Sequence, residues 1–206
     1  MEAPSESGDP HINLDAGSTN GVPTDDRLGI EAPALPNMAP REAAGEAGCE
    51  LRLRLPDEGH KHLPKDSPEP RYGTNPPTSG NHITDPYQQA DGAYRETPSS
   101  SAVVHSLEHG RLAILYSPDL SEREQKELLG LYGTMYGGAL LYPSEEVPYE
   151  VAAVTWTNLL GCADYRGVPT LGAIGAFGKA TWGRFGGESV TGVNPAAPTP
   201  AQPSSS

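Results

Sequence analysis

The sequence predicts an α+β domain, a small mixed sheet with two or three helices and a long irregular Pro/Gly-rich loop. Three observations carry that expectation. Arg111-Leu-Ala-Ile-Leu-Tyr116 is an apolar run of the kind found in a central strand. Ser121-Glu122-Arg123-Glu124 has the form of a helix capping box. From Pro56 to Pro98 the chain is punctuated by Pro64, Pro68, Pro70, Pro76, Pro77, Gly80, Pro86 and Gly92. A connection that long without regular structure is uncommon in a compact domain and is often functional.

Taken in order, residues 1–45 consist of little beyond Pro, Gly, Ala, Ser and acidic groups. Through Glu50, ten acidic side chains face two arginines and carry eight of the net −13 charges. Such a segment buries too little apolar surface to offset its ordering entropy, so disorder is expected. The Pro/Ser tail, residues 188–206, reads the same way. One globular domain is expected over residues 46–187.

Strict alternation in Leu51-Arg52-Leu53-Arg54-Leu55 fits a half-exposed strand ended by Pro56. Arg111–Tyr116 gives a second strand, and Ser117-Pro118-Asp119 turns the chain. The capped helix is expected to run to about Tyr132 and stop at Gly133. Ala139–Tyr142 and Glu150–Trp156 read as strands separated by turns at Pro143 and Pro148. Thr170 to about Phe185 reads as a helix weakened by four internal glycines. No internal repeat is visible.

An acidic chain with sparse, scattered Lys and Arg argues against nucleic acid as a partner. No apolar run approaches a membrane span. The first residues lack the basic-then-apolar pattern of an export signal. Ala-Gly-Cys49 matches the end of a lipoprotein signal, but an acidic stretch precedes it. Cys49 and Cys162 bracket a Tyr-rich, Lys-poor region. They read as one disulfide formed in an oxidising compartment, with two buried thiols as the alternative. A bridge closing so long a loop contributes about 3–5 kcal/mol on the chain-entropy model.

The chemistry sits on the histidines. His105 and His109 are four residues apart. On a strand that separation spans about 13 Å, too far for one ion. On a helix the rise is about 6 Å and both rings share a face. A short helix from about Ala102 to His109 is expected, with Ser99–Ser101 offering N-caps and Gly110 a C′ residue; a turn would also bring the rings together. His82 follows Pro76-Pro77-Thr78-Ser79-Gly80, a stiff stretch with one permissive hinge. His60 and His62 alternate, so their rings share a face on an extended chain. Three or four imidazoles from these segments suit zinc or copper. Met38 and Met135 are too few for a thioether-rich copper(I) site.

His105-Ser-Leu-Glu108-His109 also matches the H-x-x-E-H pattern of a metallopeptidase class, in which two histidines hold zinc and the glutamate is the general base. That class needs a further acidic ligand from a downstream helix, and Glu145, Glu146, Glu150 and Glu188 lie on turns, at a strand start or in the tail. Hydrolysis with Glu108 as base is therefore the second reading. A non-catalytic module whose histidines only organise the loop is the third.

Pro76-Pro-Thr-Ser-Gly-Asn81-His82, then Gly92 and Tyr94, then Val104-His-Ser-Leu-Glu-His-Gly110 resemble the signature of a bacterial family known only as domain of unknown function 3105. The resemblance runs from about Cys49 to about Phe185, with Asn81 at a position usually held by proline. It implies an extracytoplasmic setting, because members usually follow a signal peptide or membrane anchor; this chain would then be a mature or trimmed form. It implies His62, His82, His105, Glu108 and His109 as site residues and brings no reaction with it. Together these readings give an extracytoplasmic domain holding copper or zinc through His82, His105 and His109, with His62 as a possible fourth ligand. Metal handling or domain stabilisation follows more readily than catalysis. The sequence does not identify a protein partner.

Overall fold

A computed structural model describes residues 18–85, 87–135 and 138–184. It shows a mixed six-stranded sheet covered on both faces, an α+β fold. The elements in chain order are α1 (Pro40–Ala47), β1 (Cys49–Arg52), β2 (His62–Leu63), β3 (His82–Ile83), β4 (Gly92–Ala93), α2 (Ser100–Glu108), β5 (Leu112–Tyr116), α3 (Glu122–Gly133), β6 (Ala139–Pro143), β7 (Val151–Thr155), β8 (Asn158–Cys162) and α4 (Val168–Thr181).

The sheet runs β1-β8-β7-β5-β6-β4. β5, β6 and β4 are parallel neighbours; β5-β7, β7-β8 and β8-β1 are antiparallel. Parallel pairing of β5 with β6 requires a crossover, and α3 supplies it. The apolar run of β5 is unbroken because both of its faces are buried. Leu112, Ile114 and Tyr116 join the core under α1, α3 and α4, while Ala113 and Leu115 join Val103, Val104 and Leu107 of α2 on the other side. α2 is thus trapped between the sheet and the loop that precedes it.

Local signals account for most boundaries. Ser121 and Glu124 form the expected capping box, and α3 runs one residue past the expected end. β1 begins two residues before the alternating Leu/Arg stretch and stops at Arg52, because Arg54 adopts a left-handed backbone (φ 56°). α4 starts at Val168 with proline in its first turn and ends at Thr181, short of Phe185, which lies outside the described residues. Trp182 breaks away in an extended conformation and its indole donates to the Gly138 carbonyl at 2.8 Å. The glycines of α4 have a use. A Cβ at Gly175 would meet Leu35 at 3.2 Å and one at Gly178 would meet Leu112 at 3.3 Å, so both lie where neighbours approach closely.

The α+β class and the mixed sheet are as expected; among the described residues there are four helices, α1 being one that no local signal marked, and the main sheet has six strands. β8 carries no Gly-based hairpin signal: Thr157 takes the left-handed turn position (φ 60°), and buried Asn158 donates to the Trp156 carbonyl at 2.7 Å. Residues 18–45 are not a loose tail. Ser18 exchanges backbone hydrogen bonds with Gln88 and Ala90, Asp25 donates to the Ala93 carbonyl, and Ile30 donates to the Lys126 carbonyl of α3. Backbone pairing and close approach hold this strap with little apolar burial, so a composition test cannot register it. A Cβ on Gly130 would lie 1.6 Å from the Ile30 carbonyl oxygen. The expected 188–206 tail and residues 1–17 lie outside the described residues.

Cys49 and Cys162 are opposite one another in β1 and β8 and form a disulfide across 113 positions. It staples the sheet's edge strand to its neighbour.

Two stability outcomes follow. Replacing both cysteines by serine lowers unfolding free energy by about 3–5 kcal/mol, read from the midpoint shift in denaturant titration. Gly130→Ala forces the strap off α3 and costs about 1–3 kcal/mol; an unchanged midpoint would mean that residues 29–30 do not pack there.

Candidate metal centre

Two very short strands set the geometry. β2 and β3 pair in parallel with His62 opposite His82 and Leu63 opposite Ile83. His82 donates its backbone N–H to the Lys61 carbonyl at 3.1 Å. Neighbouring strands lie about 4.8 Å apart, so the pairing brings two histidines 20 positions apart in sequence side by side. Gly80 makes the turn before His82 possible. Its φ is 137°, and a Cβ there would meet the Tyr72 ring at 2.9 Å.

The second half comes from α2. Val103, Val104 and Leu107 face the sheet, while Ser101, His105 and Glu108 share another face at i, i+4 and i+7. Ser101 donates to Glu69 at 3.2 Å, tying that face to the loop. Ser106 donates to the Gln89 carbonyl at 2.8 Å, tying the next face to the segment after His82. The helix ends one residue earlier than expected. His109 is its C-cap and Gly110, at φ 78°, leaves it. Arg111 holds that end, donating to the His109 carbonyl and to Asp91, both at 3.1 Å.

His62, His82, His105 and Glu108 thereby converge, each offering one ligand atom, with these atoms all within 4.8 Å of one another. Ring centroids of His62, His82 and His105 are 4.7–5.0 Å apart. An ion bonded to four such donors at about 2.0–2.1 Å requires them about 3.4 Å apart, so small side-chain rotations would close the shell. His82 is wholly buried and His105 is 2 % exposed, whereas the His62 side chain is half exposed.

Hydrogen bonding shows what this group lacks. His82 Nδ1–H donates to the Gly80 carbonyl at 3.0 Å. That bond fixes the ring orientation and leaves Nε2 with its lone pair facing inward, the arrangement metal-binding histidines use. Nε2 lies 3.4 Å from Glu108 Oε2, an ion-pair distance when the ring is protonated, and among the described residues it makes no hydrogen bond of good geometry. His105 Nδ1 is likewise buried with no hydrogen-bond partner among the described residues. Glu108 Oε2 accepts from His62 Nε2 at 3.1 Å. Among the described residues these four could hold a metal ion.

Electrostatics agree. Burial, then repulsion from His82, His109 and His62, pushes the His105 pKa down to about 3, so its ring stays neutral. Burial acts to raise the Glu108 pKa, but the imidazoles of His82 and His62 outweigh it and the carboxyl is held below its usual range. Glu108 also stands in the last turn of α2, where the helix dipole disfavours an anion. A local rule is broken there for the sake of the cluster.

Sequence-predicted residues divide accordingly. His62, His82 and His105 come together, and Glu108 stands among the candidate ligands instead of behind them. His109 is outside the group. Its ring lies 4.9 Å from that of His105, but it sits past the last helical residue. His60 is outside it too. Tyr87, which no motif marked, stands edge-on to His105 with the ring centroids 5.1 Å apart. Glu150 accepts from the Tyr165 backbone, and Glu188 lies outside the described residues.

A family model described as protein of unknown function, DUF3105, matches residues 65–169. The match spans His82, His105, Glu108 and His109 and begins just after His62. A search of curated proteins and a search of solved structures each return no match.

In the metal-free chain the native state holds His105 unprotonated to about pH 3, whereas the unfolded chain takes up that proton near 6.5. The unfolded state binds more protons in that window, so stability falls as pH drops through it. Glu108 adds a loss in the same direction below about 4.5. Denaturant midpoints of metal-free protein are expected to fall from pH 7 to pH 4, and less steeply in His105→Leu.

Proposed function

We propose that this chain, which belongs to the DUF3105 family, binds one divalent transition-metal ion, copper(II) or zinc(II), through His62, His82, His105 and Glu108. The observation that carries the reading is the pair of buried nitrogens, His82 Nε2 and His105 Nδ1, that among the described residues have no hydrogen-bond partner, close to a carboxyl held below its usual pKa range. Leaving such groups unpaired costs about 1–3 kcal/mol each. A cation bound at the cluster would meet the carboxylate and the converging ring nitrogens at once.

Donor chemistry supports a divalent ion. Three imidazoles and one carboxylate are borderline-to-hard ligands. Both cysteines are consumed in the disulfide, and Met38 and Met135 pack in the core on the opposite face of the sheet. The disulfide also supports a working place outside the cytoplasm, in an oxidising compartment. No described helix is long and apolar enough to cross a membrane.

A bound ion would tie β2, β3 and α2 together, so binding also stabilises the irregular loop against the helix. Hydrolysis is less well supported, since it needs His109 as a ligand and Glu108 free as a base. Glu108 Oε2 instead faces His62 and His82.

Titrating metal-free chain with Cu(II) or Zn(II) is expected to give one ion per chain. His82→Ala and His105→Ala are expected to weaken binding by at least ~100-fold, the upper end of what loss of an outer partner costs. His109→Ala should change affinity by less than about tenfold. Absence of saturable binding, or a His109 variant as damaging as that at His105, contradicts the proposal.

A further inference from the structure

The four donors are not equivalent. His82 and His105 are sealed in, and the Glu108 side chain is 4 % exposed, whereas that of His62 is 50 % exposed. The sealed three are anchored by structure that cannot shift locally. His82 is fixed through Nδ1 to Gly80, and His105 and Glu108 stand on a helix buried on all sides. Withdrawing any of them opens the core. His62 differs. It sits on a two-residue strand flanked by exposed His60, Lys61 and Pro64, and its one hydrogen bond to the cluster is to Glu108. Its ring can turn toward solvent while the β2–β3 backbone pairing stays intact.

Resting on the metal-binding reading above, we infer that the site is an exchange site in which His62 is the leaving ligand. The ion enters and departs through the position this imidazole occupies, while His82, His105 and Glu108 stay bonded. In release, the metal–His62 nitrogen bond breaks and a bond forms to an external nitrogen or oxygen donor; the imidazole leaves with its lone pair, and no electrons are transferred between centres. The ion then hangs on three ligands with one open position, from which an acceptor bearing imidazole or carboxylate groups can extract it. A buried structural site has no such route. The implied role is transfer of a divalent ion to or from another ligand outside the protein.

The test uses the full chain loaded with one equivalent of Zn(II) or Cu(II) and mixed with excess EDTA, with ion transfer followed by stopped flow. His62→Ala and His62→Gln are expected to retain one ion per chain and to surrender it at least ~10-fold faster than the unaltered chain. His105→Ala is expected to fail to hold a full equivalent. Release at an unchanged rate from both His62 variants overturns the inference, as does loss of all binding in both. Either result leaves metal binding by the unaltered chain standing. If the unaltered chain takes up no ion, the underlying reading has failed instead.

Discussion

A nitrogen lone pair cut off from water must meet something positive, or the fold bears the cost. Here that demand arises twice, at His82 and His105, within one small volume that also holds an ionised carboxylate. Among the described residues the nearest relief is the 3.4 Å contact of His82 Nε2 with Glu108 Oε2. Gly80 uses the other nitrogen of His82, and burial, then the neighbouring imidazoles, disfavour a proton on His105. The rest of the molecule can be understood as the support that keeps these lone pairs facing one another.

That support is layered. The two-sided sheet fixes α2 by burying Val103, Val104 and Leu107 against β5 and its neighbours. With one face so fixed, helical periodicity places Ser101, His105 and Glu108 along another. The long loop then packs over that face and brings β3 and β2 with it. The strap of residues 18–38 closes the outside, pairing with the segments around Gln88 and Ala93 and crossing α3 at Gly130. The disulfide pins the far edge of the sheet, remote from α2 in strand order. Rigidity is concentrated on three donors, and the fourth is left at the surface.

Much of this was legible in the residues, for identifiable reasons. Period and capping set β5, α3 and β6 nearly to the residue, because local signals and tertiary packing agree there. The His105–Glu108 helix could be expected from its flanking serines and Gly110. The partner strands could not. β2 and β3 are two residues each, too short for any alternation to register, and their pairing depends on an 18-residue connection whose path no local signal fixes. For that reason sequence alone ranks His62 last among the candidate ligands and His109 ahead of it, although the helix stops one residue short of His109. The strap was illegible for a different reason. It is held by backbone bonds and the close approach of Ile30 to Gly130, and composition records neither.

The central claim concerns the identity of the atoms around a bound ion, and X-ray absorption on the zinc- or copper-loaded chain addresses it most directly. The account predicts a first shell of three imidazole nitrogens and one carboxylate oxygen at about 2.0–2.2 Å, with no sulfur. A shell of oxygens alone, or one with a single imidazole, would contradict it.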